Sequence, residues 1–175
     1  YIDSYIGSKS ECKRIYERTH TRWSIAACLS PLDEFTQVSF VNGINTTKGG
    51  KHVDYILNQI VRKMIALIEK RKKIKVKPTT IKEQLMLFIN CVIENPSFDS
   101  QTKECMNTPQ HKFGSRCEVS DKFIEKLAKM GVMEAAISLN EIKDNKAARK
   151  TDGRKTRNIR GVPKYMGANW AGGCK

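Results

Sequence analysis

The most regular hydrophobic pattern in the chain lies between Val53 and Ile68. Apolar residues fall at Val53, Ile56, Leu57, Ile60, Val61, Met64, Ile65, Leu67 and Ile68, a broad stripe at helical spacing that predicts a helix of three and a half turns or more lying against a sheet. Before it, Lys13 to Ser30 holds two β-favouring stretches, around Ile15-Tyr16 and Trp23-Ser24-Ile25, and Phe35 to Ile44 alternates polar and apolar positions. These predict the front of a sheet. The glycines of Asn42-Gly43-Ile44-Asn45-Thr46-Thr47-Lys48-Gly49-Gly50 let the chain reverse tightly before the helix begins. After it, Leu85 to Glu94 is a nearly continuous apolar run, the signature of a central strand buried on both faces. Strand, long helix and second strand form a crossover unit, so the chain is read as an α/β (α+β) domain.

Between helix and strand, Glu69-Lys70-Arg71-Lys72-Lys73-Ile74-Lys75-Val76-Lys77-Pro78 combines like charge with a proline, which should stop the helix and push the segment into solvent. Asn95-Pro96 marks a turn, and the stretch to Arg116 reads as polar and irregular. Ser120 is placed to cap a further helix, with Asp121 at its positive end and Phe123, Ile124, Leu127, Met130, Met133, Ala136 and Ile137 on its buried side. A basic tail follows, from Lys143 to Lys164. The expected organisation is a domain over 1–145 and a basic linker over 146–175. Tyr1 is not a methionine, and Ala171 to Lys175 reads as the middle of a loop, so the chain is expected to be a piece of a larger protein.

Charge changes this picture. With 32 Lys and Arg against 18 Asp and Glu, the formal charge is +14, which points to a polyanionic partner. No stretch approaches the roughly 18 apolar residues of a membrane span, and the N-terminus lacks the pattern of a signal peptide. No membrane association is expected. The six cysteines are scattered, and Cys28 and Cys91 sit within strand-like runs, so reduced thiols are favoured over a disulfide framework. Cys105, His111 and Cys117 lack a paired Cys-x-x-Cys unit and offer three ligands; no metal site is expected. Nor is there a Walker-type loop, since Gly49-Gly50 lacks the flanking pattern of a phosphate cradle. His52 reads as a helix-start or sheet-edge residue, and Trp23 and Trp170 as packing residues.

Two segments carry a family resemblance. Val38-Ser39-Phe40-Val41-Asn42-Gly43-Ile44 running into Thr47-Lys48-Gly49-Gly50-Lys51-His52-Val53-Asp54-Tyr55 resembles the SFVN and KGG-x-HVDY signature of eukaryotic-type topoisomerase II, a type IIA DNA topoisomerase. Glu94-Asn95-Pro96-Ser97-Phe98-Asp99-Ser100-Gln101-Thr102-Lys103-Glu104 resembles that family's ENP-x-FDSQTKE segment. A lysine-rich insert lies between them, and Phe113-Gly114-Ser115 follows. The match weakens at Tyr165-Met166-Gly167. The HVDY and ENP-x-FDSQTKE wording disfavours the related bacterial gyrase branch.

The resemblance implies the transducer domain of the N-terminal ATPase region: a mixed four-stranded sheet backed by helices, ribosomal protein S5 domain 2-like, with a left-handed crossover. It implies that Gln101 and Lys103 reach the γ-phosphate of ATP bound in the preceding ATPase domain. There an ammonium and an amide donor can stabilise phosphoryl transfer, so both are assigned catalytic and cofactor-binding roles. ATP and Mg2+ are implied as cofactors of the full-length enzyme, bound mainly by domains outside this chain, and the fragment alone should be inactive. Lys70, Arg71, Lys72, Lys73, Lys75 and Lys77 correspond to a loop that contacts double-stranded DNA without reading bases. On charge alone, a solvated helix end remains the competing reading. The tyrosine and acidic site of DNA cleavage would lie in a following domain, leaving Tyr1, Tyr5, Tyr16, Tyr55 and Tyr165 structural or surface roles. The implied enzyme is a nuclear homodimer, or a viral relative working in virus or host cytoplasm. The alternative is a stand-alone nucleic-acid-binding module of the same fold.

Overall fold

A computed structural model describes residues 1–8 and 12–152, with side chains through residue 146. Two compact units divide the chain, residues 1–140 and 141–175. In the first, strands β1 (Arg14–His20), β2 (Trp23–Leu29), β3 (Thr36–Val41), β4 (Ile44–Asn45) and β6 (Leu85–Cys91) form one mixed sheet in the order β1-β2-β6-β3-β4. Strand β6 is central, antiparallel to β2 and parallel to β3. The mixed sheet backed by helices is the expected architecture. Its fifth strand, β4, has two residues and returns from β3 through Asn42 and Gly43, at φ 52 and 80. Positive φ at both turn positions is what a two-residue hairpin with the sheet's own twist demands, and Asn-Gly supplies it.

Helix α2 (Lys51–Lys72) joins β3–β4 to β6 by way of α3 (Pro78–Glu83). Its 22 residues make about six turns and span about 33 Å. Ile56, Leu57, Ile60, Met64 and Ile68 share one core with Trp23, Ile25 and Ala27 of β2 and Leu85, Leu87 and Ile89 of β6. The opposite sheet face carries a smaller cluster around Ala26, Cys28 and Phe88, joined by Ile2 and Ile6 of α1 (Ile2–Ile6). Trp23 is fully buried. Its ring meets those of Tyr55 and Phe113, and its indole N–H donates to Ser115 Oγ at 2.8 Å.

Three expectations need correcting. The helix does not stop at the onset of the basic run: Lys70, Arg71 and Lys72 form its last turn, where cations meet the negative helix end. The stretch 95–116 is exposed in part but not irregular. It holds β7 (Cys105–Met106), paired in parallel with β5 (Gly49–Gly50), and a 3-10 turn at Gln110–Lys112. It is anchored by buried Met106, Thr108 and Phe113. The C-terminal helix is interrupted: α4 (Asp121–Leu127), capped by Ser120 Oγ accepting from Phe123 N, passes through a wide turn at 128–132 with Gly131 at φ 104 before α5 (Met133–Asp152).

The five described cysteines are free thiols, three of them buried. Burial pushes the Cys28 and Cys91 thiols up to about 12, which leaves them unreactive. Tyr55 belongs to the core, whereas Tyr1, Tyr5 and Tyr16 are about half exposed. Trp170, Tyr165 and most of the basic tail lie outside the described residues. Among the described residues, no helix is long and apolar enough to cross a membrane.

Candidate functional site

Where β6 ends, Asn42 extends the sheet with its side chain. Its Nδ2 donates to Ile93 O and its Oδ1 accepts from Ile93 N, both at 2.9 Å. The chain then leaves the sheet for an excursion from Glu94 to Phe113. Phe98 and Met106 form an antiparallel bridge, Asn107 N donates to Ser97 O, and Ser97 N donates to Thr108 Oγ1 at 2.7 Å. The segment 98–106 is thus a closed turn with a tied base.

Its interior is built by local polar contacts of the kind that make Asp and Ser turn formers. Asp99 Oδ1 accepts from Cys105 N and Ser100 Oγ, Ser100 Oγ meets Thr102 Oγ1 at 2.8 Å, and Lys103 N donates to Ser100 O. Lys103 takes φ 57 at the reversal. Gln101, Thr102 and Lys103 form the exposed tip. Among the described residues nothing pairs with the Gln101 amide or the Lys103 ammonium, both of which are donors.

The turn is fastened to the start of α2, and this the sequence reading missed. Lys48 N donates to Glu104 O at 3.0 Å, and Lys48 Nζ lies 2.5 Å from Glu104 Oε2. Glycines 49 and 50 pair with residues 105 and 106. Beneath them lies a buried polar knot, in which Thr46 Oγ1 meets Ser39 Oγ at 2.6 Å and His52 Nε2 at 3.2 Å. His52 Nδ1 is buried without a partner, so the economical tautomer carries the proton on Nε2, donating to Thr46 Oγ1, which in turn donates to Ser39 O. Burial lowers the His52 pKa to about 4, keeping the ring neutral.

The second cluster lies at the far end of α2. Lys70, Arg71, Lys72, Lys73 and Lys75 are exposed. Arg71 is shared with Glu125 at 3.6 Å. Lys73 caps the helix in a left-handed conformation, φ 56, with its N–H on Glu69 O. Ile74 packs against the core and Val76 is buried, pinning the segment between its cations. Lys77 is the N-cap residue of α3, and its backbone N–H reaches Asn140 Oδ1 at 3.5 Å. Nearby, Lys82 Nζ sits 5.0 Å from the centre of the Phe35 ring, a cation the charge run alone did not include. The structure therefore places the exposed turn and the cluster of cations at opposite ends of one helix.

A family model described as DNA gyrase B matches residues 1–158. DNA topoisomerase 2 of Drosophila melanogaster is 41% identical over 181 residues, covering 99% of this chain and 12% of its own length. The crystal structure of the ATPase region of Saccharomyces cerevisiae topoisomerase II is 39% identical with a TM-score of 0.71, over 80% of this chain and 35% of that one. The ATPase and transducer domains of DNA topoisomerase II from Balamuthia mandrillaris match at 41% identity and TM-score 0.70, over 75% and 34%. The chain spans about 12% of the length of the curated relative from Drosophila. It belongs to the DNA gyrase B family, on the branch of the eukaryotic DNA topoisomerase 2 enzymes, and corresponds to part of their ATPase region.

Proposed function

We propose that the chain is the transducer of an ATP-dependent type II DNA topoisomerase, coupling nucleotide state in a preceding ATPase domain to passage of double-stranded DNA. One observation carries this reading. An exposed, donor-bearing turn, tied to the residues that lead into α2, and a cluster of exposed cations at its last turn lie at the two ends of one continuous helix about 33 Å long.

The donors fit a terminal phosphoryl group. ATP, with Mg2+ held by the preceding domain, supplies the reactive phosphate; Lys103 contributes a compact positive charge and Gln101 a directed N–H. Because the turn is tied at its base, a contact made or lost at its tip pulls on α2 rather than on a slack loop. At the other end, Lys70, Arg71, Lys72, Lys73, Lys75 and Lys77 offer sequence-neutral phosphate contacts. The working enzyme is a nuclear homodimer, with residues 1–145 as the transducer and 146–175 leading to the cleavage domain.

The test is steady-state ATP hydrolysis by the full-length enzyme, with and without duplex DNA. Lys103→Ala should lower kcat by at least about tenfold with the fold intact, in keeping with loss of a transition-state donor. Turnover at the wild-type rate would remove the phosphate-sensing role. A protein that ignores nucleotide altogether would be a simple nucleic-acid-binding module.

A further inference from the structure

The turn offered to the phosphate is not itself positively charged. Between Phe98 and Cys105 it carries Asp99 and Glu104 against Lys103, two carboxylates against one ammonium. An acidic turn is a poor partner for a terminal phosphoryl group, because each uncompensated carboxylate repels it at short range. Asp99 is held in place by its structural work, accepting from Cys105 N and Ser100 Oγ. Glu104 has no such bond among the described residues. Its carboxylate is met by Lys48, which also binds the Glu104 carbonyl through its own backbone.

We propose that Lys48 is a positioning residue for nucleotide sensing: it neutralises and immobilises Glu104 beside Lys103, so that the turn meets the γ-phosphate with its charge balanced rather than net negative. The inference rests on the phosphate-sensing reading of Gln101 and Lys103 and deepens it.

Three observations support the assignment. Lys48 belongs to a segment far from Glu104 in the chain, yet its backbone N–H and side chain close on the same residue. Adjacent residues 49 and 50 pair with 105 and 106, so the Lys48 Cα is held within reach of Glu104. The Lys48 pKa is raised, first by the hydrogen bond to Glu104 and then by its charge, in keeping with the ion pair between the two side chains. The pair is exposed enough for salt to weaken it, so its role is local charge and placement, not stability.

The experiment compares Lys48→Ala, Lys48→Arg and the double variant Lys48→Ala/Glu104→Gln in the full-length enzyme, with Lys103→Ala alongside. Lys48→Ala should raise KM for ATP about fivefold, the scale of one uncompensated charge acting on a phosphate at a partly solvated surface, with a smaller change in kcat and an unchanged melting temperature. Lys48→Arg should restore it, and so should the double variant, since removing the carboxylate removes the need for its partner. A double variant as impaired as Lys48→Ala, or an unchanged KM in Lys48→Ala while Lys103→Ala is impaired, overturns the proposal. Amide exchange over Asp99–Met106 in the present chain judges the placement without nucleotide. Lys48→Ala should speed exchange at this turn, and unaltered exchange overturns the positioning claim even where Lys103→Ala has shown the phosphate-sensing reading itself to be at fault.

Discussion

A β-carbon on Gly50 would stand 2.3 Å from the carbonyl oxygen of Met106 and 2.6 Å from its nitrogen. The two backbones touch because Gly50 has no side chain, and its φ of 134 lies where other residues are strained. This contact joins the two signature segments of the chain, one leading into α2 and one carrying the exposed turn.

Gly50→Ala should therefore part β5 from β7. The clash is with backbone, which cannot swing aside, and the expected cost is about 2–3 kcal/mol from strain and displacement together. Urea unfolding of the chain would measure it, and amide exchange at Cys105 and Met106 should rise more than at β6. An Ala variant as stable as wild type would mean that the two strands need no such proximity.

His52 gives the fold an acid sensitivity whose sign is set by burial. Its pKa falls from 6.5 to about 4 on folding, so the unfolded chain takes up a proton there first. The stability contributed is complete above pH 6.5, declines as pH falls from 6.5 toward 4, and is worth up to about 3 kcal/mol. The difference in unfolding free energy between wild type and His52→Gln, followed from pH 7 to 4, should narrow with acidification. A difference independent of pH would count against a neutral buried ring.

Lys73 closes α2 in the left-handed region, where a Cβ is unfavourable. Lys73→Gly should stabilise the chain by about 1 kcal/mol, since glycine is the preferred residue at this helix-ending position. A loss in thermal unfolding temperature would show that the Lys73 side chain supports the segment in some other way.

If the exposed cations contact DNA phosphates, removing them should change the salt response by a calculable amount. Each cation lost should reduce the slope of log affinity against log salt by about 0.9, so Lys70→Ala/Lys72→Ala/Lys75→Ala should flatten it by roughly 2.7. Anisotropy titrations of the chain with a short duplex would give the slopes. An unaltered slope assigns DNA contact to other cations.

How far the sequence could be read depended on whether a feature leaves a local trace. The periodic stripe of α2, the apolar run of β6, the Asn42-Gly43 turn and the Ser120 cap are each specified by neighbouring residues and were legible. The pairing of β5 with β7 was not, because two glycines have no alternating pattern and the partner lies far along the chain. Like charge in Lys70–Lys72 argued for a loop, but the helix end tolerates cations and the stripe reaching Ile68 keeps the turn helical. Gly131 was read through because the apolar spacing continues on both sides of it. For the proposed site, Gln101 and Lys103 are singled out by family resemblance alone; no chemistry in a lone Gln-Thr-Lys selects them. Lys48 and Glu104 each sit within the quoted motifs, yet only coordinates reveal that they touch.

The order β1-β2-β6-β3-β4 has a consequence for how the protein is made. The hairpin of β1 with β2 and that of β3 with β4 are local and can form early, but they share no strand boundary: β6 stands between them in the finished sheet. Until the ribosome has released residue 91, neither hairpin has a neighbour to shield its inner edge. Assembly of the sheet must wait for one late strand to enter between two earlier pieces, a distant closure that slows folding. During that interval the nascent chain holds two half-sheets with unpaired flanks, the stage at which helper proteins and competing chains can find it.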